Sequence, residues 1–152
     1  MRRVASHIGV AVVSLVVGIY LGAQYIGKPV STLAPVFGAA WVGERAALLF
    51  HEANYTEAHE ALLKHAEVNK ELAARPDLGW ACSAQSDLAL TYMRLAILEE
   101  RRGNTGDAAQ YISQAVSYAT QAGWKHPTAE RIRWLVEDIE KHAQTTPTPS
   151  GA

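Results

Sequence analysis

The sequence has 152 residues, 49% of them apolar and 19% charged, which is the length of one modest domain with an appendage. Residues 1–28 carry three basic and no acidic side chains, whereas the remainder carries 11 basic and 15 acidic ones. A mildly acidic body without a basic run argues against nucleic-acid binding, and the single cysteine, Cys82, excludes an intramolecular disulfide and a four-cysteine metal site.

The first predicted element is an uncharged segment from Val4 to Ile26. As a helix it would span about 34 Å, enough for a hydrocarbon core of about 30 Å. A signal peptide cleaved after Ala23 would have Leu21 at the −3 position, where a small residue is required. We therefore predict an uncleaved signal anchor, a transmembrane helix over residues 1–26, and keep cleavage as the alternative.

Basic residues next to this segment predict its orientation. Arg2 and Arg3 precede it, whereas Lys28 and Arg45 are the bases within about 20 residues after it. The bias predicts a single-pass protein of the bacterial inner membrane, with a cytoplasmic N-terminus and a periplasmic or extracytoplasmic domain. Small residues at every fourth position of this segment are Ser14, Gly18 and Gly22, a spacing at which transmembrane helices pack closely. The alternative is that glycine is simply common in transmembrane helices.

Proline and glycine divide the rest of the chain. Residues 27–39 contain two of each and are predicted to form a linker, because both residue types interrupt helices. Residues 144–152, with two prolines, are predicted to be a disordered tail. Every segment between them has helical periodicity and none alternates as a strand would. The predicted helices cover about residues 40–52, 55–74, 81–102, 105–122 and 128–143.

An internal repeat indicates how these helices are paired. Residues 53–58, Ala-Asn-Tyr-Thr-Glu-Ala, recur as residues 103–108, Gly-Asn-Thr-Gly-Asp-Ala. The small residue allows a turn, the asparagine caps the next helix, and the acid lies in the first turn, where the helix dipole favours negative charge. The pattern predicts two helix–turn–helix hairpins, followed by a capping helix whose charged residues, Glu140 among them, face solvent.

The hairpins resemble the tetratricopeptide repeat (TPR) family over residues 40–143. The aromatic, turn and small–large–small positions of that family are matched in the second hairpin by Tyr92, Gly103, Ala108, Ile112 and Ala115. The first hairpin departs from the pattern at Val42 and His65, and the repeat is longer than the usual 34 residues. The resemblance implies an all-α fold, a short superhelix of two hairpins and a capping helix, following the transmembrane helix.

Histidines crowd the first hairpin and raise the question of a metal site. The predicted turn separates His51 from His59 and His65, and neither an HExxH nor a Glu-x-x-His spacing occurs. We interpret them as surface histidines and predict no metal or other cofactor. Cys82 has no CxxC partner and is interpreted as a small buried group. Without a nucleophile motif or a Gly-rich loop, the sequence indicates no enzyme.

The resemblance also implies where a partner would bind, because the first helix of each TPR hairpin lines a concave face. The positions that correspond to this face are Phe50, His51, Leu90, Met93, Ile97 and Arg101. Met93 stands at one position of the carboxylate clamp found in chaperone-binding members, so that clamp is not expected. The alternative is that these side chains meet one another inside a closed bundle.

These observations predict a membrane-anchored TPR-like adaptor or scaffold that binds a protein or peptide partner. Another membrane or envelope protein is the expected partner, within a larger membrane complex, and a homo-oligomer is a further option. The alternative is a periplasmic helical bundle that senses a small ligand held between its helices.

Overall fold

The computed structural model describes residues 34–51 and 55–145, and these residues form five α-helices. Intrachain contacts divide the chain after Phe37, and the unit considered below begins at Gly38. The predicted all-α class and the five helices are confirmed. Helix α1 covers residues 34–51, a short 3₁₀-helix covers Pro76–Leu78, and the other helices are α2 (Tyr55–Ala73), α3 (Ala81–Arg101), α4 (Thr105–Gln121) and α5 (Ala129–Thr145).

Two predicted boundaries are wrong. Helix α1 already includes residue 34, the first described residue of this segment, which lies inside the predicted linker 27–39. Helix α5 continues to Thr145, two residues into the predicted tail. The rest of the linker and of the tail lies outside the described residues.

The predicted fold class also included a transmembrane helix, and this part is corrected. Within residues 34–51 and 55–145, no helix combines the length and the apolar character needed to cross a bilayer. Charged side chains along α2, α3 and α5 are the physical reason, since a charge in the hydrocarbon core is costly. The segment for which the anchor was predicted, residues 1–26 with Ser14, Gly18 and Gly22, lies outside the described residues.

Helix α3 is the centre of the domain. It packs against α2, α4 and α5, and every residue from 91 to 99 is buried. A helix that is buried on all sides normally carries apolar residues all round. This one also buries the polar side chains of Thr91, Arg94 and Glu99, so each of them requires a partner from a neighbouring helix.

Small side chains make this close packing possible. Alanine lets the backbones of neighbouring helices approach, since its side chain is a single methyl group. Tyrosines fill the wider space between α3 and α4, where Tyr92 stacks on Tyr111 and on Tyr118 with ring centroids 5.9 and 5.6 Å apart. The buried alanines occur on α1 to α4 and are Ala39, Ala46, Ala58, Ala66, Ala84, Ala89, Ala96, Ala108, Ala115 and Ala119.

The turn between α3 and α4 has the predicted glycine but a different role for the asparagine. Gly103 adopts a φ of 81°, a left-handed conformation that glycine adopts without a steric penalty. Asn104 precedes α4, yet its side chain makes no capping hydrogen bond. Instead its Nδ2 donates to Glu99 Oε2 at 2.6 Å, which ties the turn to the buried end of α3. The predicted cap at Asn104 is therefore wrong, whereas Asp107 lies in the first turn of α4 as predicted.

Candidate functional site

A cleft of about 290 Å³ opens between α1, α3 and α5. Helices α1 and α3 are the first helices of the two predicted hairpins, and α5 is the predicted capping helix. Its volume is at the lower end for ligand sites in proteins and suits one or two side chains of a bound segment. The residues that line it are Phe50, His51, Ile97, Arg101, Val136, Glu137, Glu140 and Lys141.

The floor of the cleft is apolar. Phe50 of α1, Ile97 of α3 and Val136 of α5 are buried members of the main core cluster, so the floor is continuous with the folded interior. Arg101 lies over the Phe50 ring, with its guanidinium carbon 5.3 Å from the ring centroid. This cation–π contact holds a positive charge at the edge of an apolar surface.

One side of the cleft ends in a buried ion pair. Arg94 of α3 donates from Nε to Glu140 Oε1 of α5 at 2.8 Å, and its Nη2 lies 2.7 Å from the same oxygen. The second carboxylate oxygen, Oε2, lies 2.6 Å from His51 Nε2 of α1. Glu140 therefore joins all three helices that form the cleft, and its charge is compensated within the domain.

Exposed charges lie on the rim. Arg101 of α3 and Lys141 of α5 are basic, and Glu137 of α5 is acidic. The adjacent Glu100 and Arg133 neutralise each other through a two-bond pair between α3 and α5, with distances of 2.7 and 2.5 Å. The rim therefore carries one net positive charge above an apolar floor.

Four of the six predicted partner-binding residues lie together in this cleft. They are Phe50, His51, Ile97 and Arg101. Met93 is 0% exposed and belongs to the core, because α3 has neighbours on every side at that position. Leu90 is half-buried against the core and does not line the cleft. At Met93, the alternative of side chains meeting inside a bundle describes the structure better.

Sequence reasoning missed the half of the cleft that α5 supplies. Glu140 was predicted to face solvent, but it is buried against Arg94. The signal was present, because Ile132, Val136 and Glu140 recur at every fourth position and therefore share one helix face. Both apolar members of that set are fully buried, so the acid on the same face required a buried cation.

His65 is not the surface group that was predicted, whereas His51 and His59 are partly exposed. His65 is buried, and burial together with the charge of Arg94 lowers its pKa to about 4. Its Nδ1 lies 2.9 Å from Thr91 Oγ1, while the Thr91 hydroxyl donates to the Asp87 carbonyl at 2.7 Å. Because that hydroxyl has one proton, the His65 ring must carry its proton on Nδ1 and donate it to Thr91.

The remaining candidate groups do not form a chemical site. His59 Nε2 lies 3.3 Å from Glu99 Oε1, next to the tyrosine stack. In the described part of the chain, no three His, Cys, Asp or Glu side chains are arranged to hold a metal ion. Cys82 is an exposed thiol near the start of α3, so its predicted burial is wrong.

No family model matches this chain, and neither the curated proteins nor the solved structures searched gave a match. The TPR resemblance, the adaptor function and the periplasmic location therefore stay predictions.

Proposed function

We propose that this domain is a non-enzymatic adaptor that binds a peptide segment of a partner protein in the cleft between α1, α3 and α5. The observation that carries the proposal is the apolar floor of Phe50, Ile97 and Val136 beneath a rim with a net positive charge. The TPR resemblance assigns a binding face to the first helix of each hairpin, which are α1 and α3, and α5 supplies the remaining wall of the cleft. The proposal does not depend on residues outside the described ranges.

The chemistry of the cleft defines the kind of partner. An apolar side chain would cover the small part of the floor that stays accessible, 5% of Phe50 and 7% of Ile97, and a neighbouring carboxylate would meet Arg101 or Lys141 on the rim. Arg101 is held in place over Phe50, so less side-chain entropy is lost when it binds an acidic group. We therefore expect a segment in which a large apolar residue stands next to Asp or Glu.

Two matched sets of short fluorescein-labelled peptides test this proposal with the full chain. One set pairs Leu, Ile or Phe with Asp or Glu, and the other replaces each acid with Lys. We expect the acidic set to bind about tenfold more tightly in fluorescence anisotropy, with the difference falling at high salt because the rim is exposed.

Arg101→Glu should remove the preference for acidic peptides, since it reverses the charge at the cleft edge. Arg102→Glu is the matched control, because Arg102 is exposed next to it in the chain and does not line the cleft. Equal binding of both peptide sets, or equal effects of the two variants, would contradict the proposal. Thermal stabilisation by a small molecule without binding of either set would favour the predicted ligand sensor instead.

A further inference from the structure

Helix α1 presents an apolar stripe on the side opposite to its buried face. Trp41 and Leu48 are 72% and 57% exposed, although both are large apolar residues. Ala46 and Phe50, which are buried in the core, lie roughly half a turn away from Trp41 on the helical wheel. Exposed apolar residues that share one helix face indicate a contact surface rather than isolated surface positions.

Two charged residues separate the apolar ones, and their order gives the stripe a symmetry. Along α1 the stripe runs Trp41, Glu44, Arg45 and Leu48, all exposed. Reversing the order about the bond between residues 44 and 45 exchanges Trp41 with Leu48 and Glu44 with Arg45. An apolar residue then meets an apolar residue, and an acid meets a base. A surface of this kind is complementary to itself under two-fold rotation.

The surface beside the stripe is shaped to receive side chains. A shallow cleft of about 260 Å³ is lined by Trp41, Glu44, Arg45 and Leu48 themselves. A second one of about 360 Å³ lies on the α2 side of the same ridge and is shared with Leu49, Ala61 and other residues of α1 and α2. A bulky residue from a facing helix therefore has room on both sides of the Trp41–Arg45 ridge.

We propose that α1 pairs in antiparallel orientation with α1 of a second copy of this chain. In the pair, Trp41 packs against the partner's Leu48, and Glu44 forms an ion pair with the partner's Arg45. Each contact occurs twice because of the two-fold axis. The charge order favours a second copy over an unrelated apolar segment, since the latter would leave Glu44 and Arg45 covered without partners of opposite sign.

The size of the surface sets the strength of the interaction. The contact consists of Trp41, Glu44, Arg45 and Leu48 on each copy, which is far fewer than the roughly 20–30 residues a side of a standard stable interface. We therefore expect a reversible dimer with a dissociation constant in the micromolar range. Sedimentation velocity of the full chain, measured from low to high micromolar concentration, should show one monomer–dimer equilibrium.

A charge swap distinguishes this dimer from any other. Glu44→Arg places like charges opposite each other twice, and Arg45→Glu does the same with acids, so each should raise the dissociation constant about tenfold or more. The double variant Glu44→Arg/Arg45→Glu restores opposite charges and should return it to near the wild-type value. Arg102→Glu, a reversal of an exposed arginine just after α3, is the control and should leave the dissociation constant unchanged.

Trp41→Lys is an independent test, because it removes the largest apolar contact of the proposed dimer and should weaken it. Trp41 is exposed, so the substitution should not affect folding, as circular dichroism would verify. A wild-type chain that stays monomeric over this range would overturn the proposal. So would a dimer that tolerates both single reversals, or one that the double swap fails to restore, because its interface would then lie elsewhere.

Discussion

His65 shows how one buried residue links the packing of this domain to pH. Its ring is buried beside Arg94 and donates from Nδ1 to Thr91. A protonated ring would add a second positive charge next to Arg94 in a poorly hydrated place. The folded domain therefore holds His65 in its neutral form over a wider pH range than the unfolded chain does.

This difference predicts a loss of stability in mild acid. The pKa of His65 is about 4 in the folded domain and 6.5 as its ordinary value, so the unfolded chain binds the proton first as pH falls. The stabilisation due to the neutral ring is complete above pH 6.5 and is lost progressively as pH falls from 6.5 to 4, with a total of about 3 kcal/mol. Urea unfolding at intervals of pH would measure it.

His65→Gln should flatten the pH dependence between 6.5 and 4, because glutamine is neutral throughout and can still donate to Thr91. His142→Gln is the control, since that histidine lies on an exposed part of α5. If His65→Gln retains the full slope of the wild type, the neutral buried histidine is not its source.

Between elements, α1 comes close to the His65 side chain of α2 at Gly43. Gly43 lies in the middle of α1, where glycine is ordinarily unfavourable by about 1 kcal/mol relative to alanine. The reason for it is His65, because a Cβ at position 43 would lie 2.7 Å from the Nε2 atom of that ring. The ring is fixed by Thr91 and so has little freedom to move aside.

Gly43→Ala should therefore destabilise the domain by about 1–3 kcal/mol despite its better helix propensity. Gly38→Ala, in the same helix, is the matched control: nothing lies within 4 Å of its added Cβ, so it should be neutral or stabilising by up to about 1 kcal/mol. Chemical unfolding of both variants measures the difference. A stabilised Gly43→Ala would show that α1 and α2 are not in close contact there.

The helices themselves were largely predictable, because most of their ends have local signals. Gly103 and Gly123 terminate α3 and α4 in left-handed conformations, and the acidic first turns of α2 and α4 mark where those helices begin. The helical residues 34–39 were missed because Pro35 and Gly38 are residue types that usually interrupt helices.

At the scale of the whole molecule, the ion pair of Arg94 and Glu140, together with His51, links the first, the central and the last helix of the domain. Glu140 of α5 contacts Arg94 of the central helix and approaches His51 at the end of α1. Both members of the pair are buried, so neither charge is well compensated by water when the other is removed. The arrangement holds the walls of the cleft at a fixed separation.

Breaking this pair should be costly, and removing it entirely should cost much less. We expect Glu140→Gln or Arg94→Met alone to lower the free energy of unfolding by about 3 kcal/mol, because one charge is left buried. The double variant Arg94→Met/Glu140→Gln should recover much of this loss. A double-mutant cycle in urea would give the coupling energy, and additive effects would show that the two side chains do not act as a pair.

Only part of the candidate site was predictable from the sequence, because the rest depends on how helices that are distant in sequence cross one another. Phe50, Ile97 and Arg101 follow from the position of their helices in a repeat, which sequence spacing reveals. The contribution of α5 depends on how the last helix crosses α1 and α3, and this crossing is set by contacts between residues such as His51 and Glu140 that are distant in sequence. Met93 was predicted to line the binding face but lies in the core, because spacing alone does not reveal that α3 is covered on all sides.

Because many of its buried residues are alanines, the domain should tolerate enlargement of a core side chain less well than its truncation. A core of large residues is damaged mainly by truncation, which leaves cavities. Here Ala58, Ala96 and Ala115 have a single methyl group to lose, whereas any added atom must push apart two helix backbones. Only glycine and serine should therefore be accommodated at these positions without moving a helix, and other substitutions should be tolerated better on the outer faces of the helices.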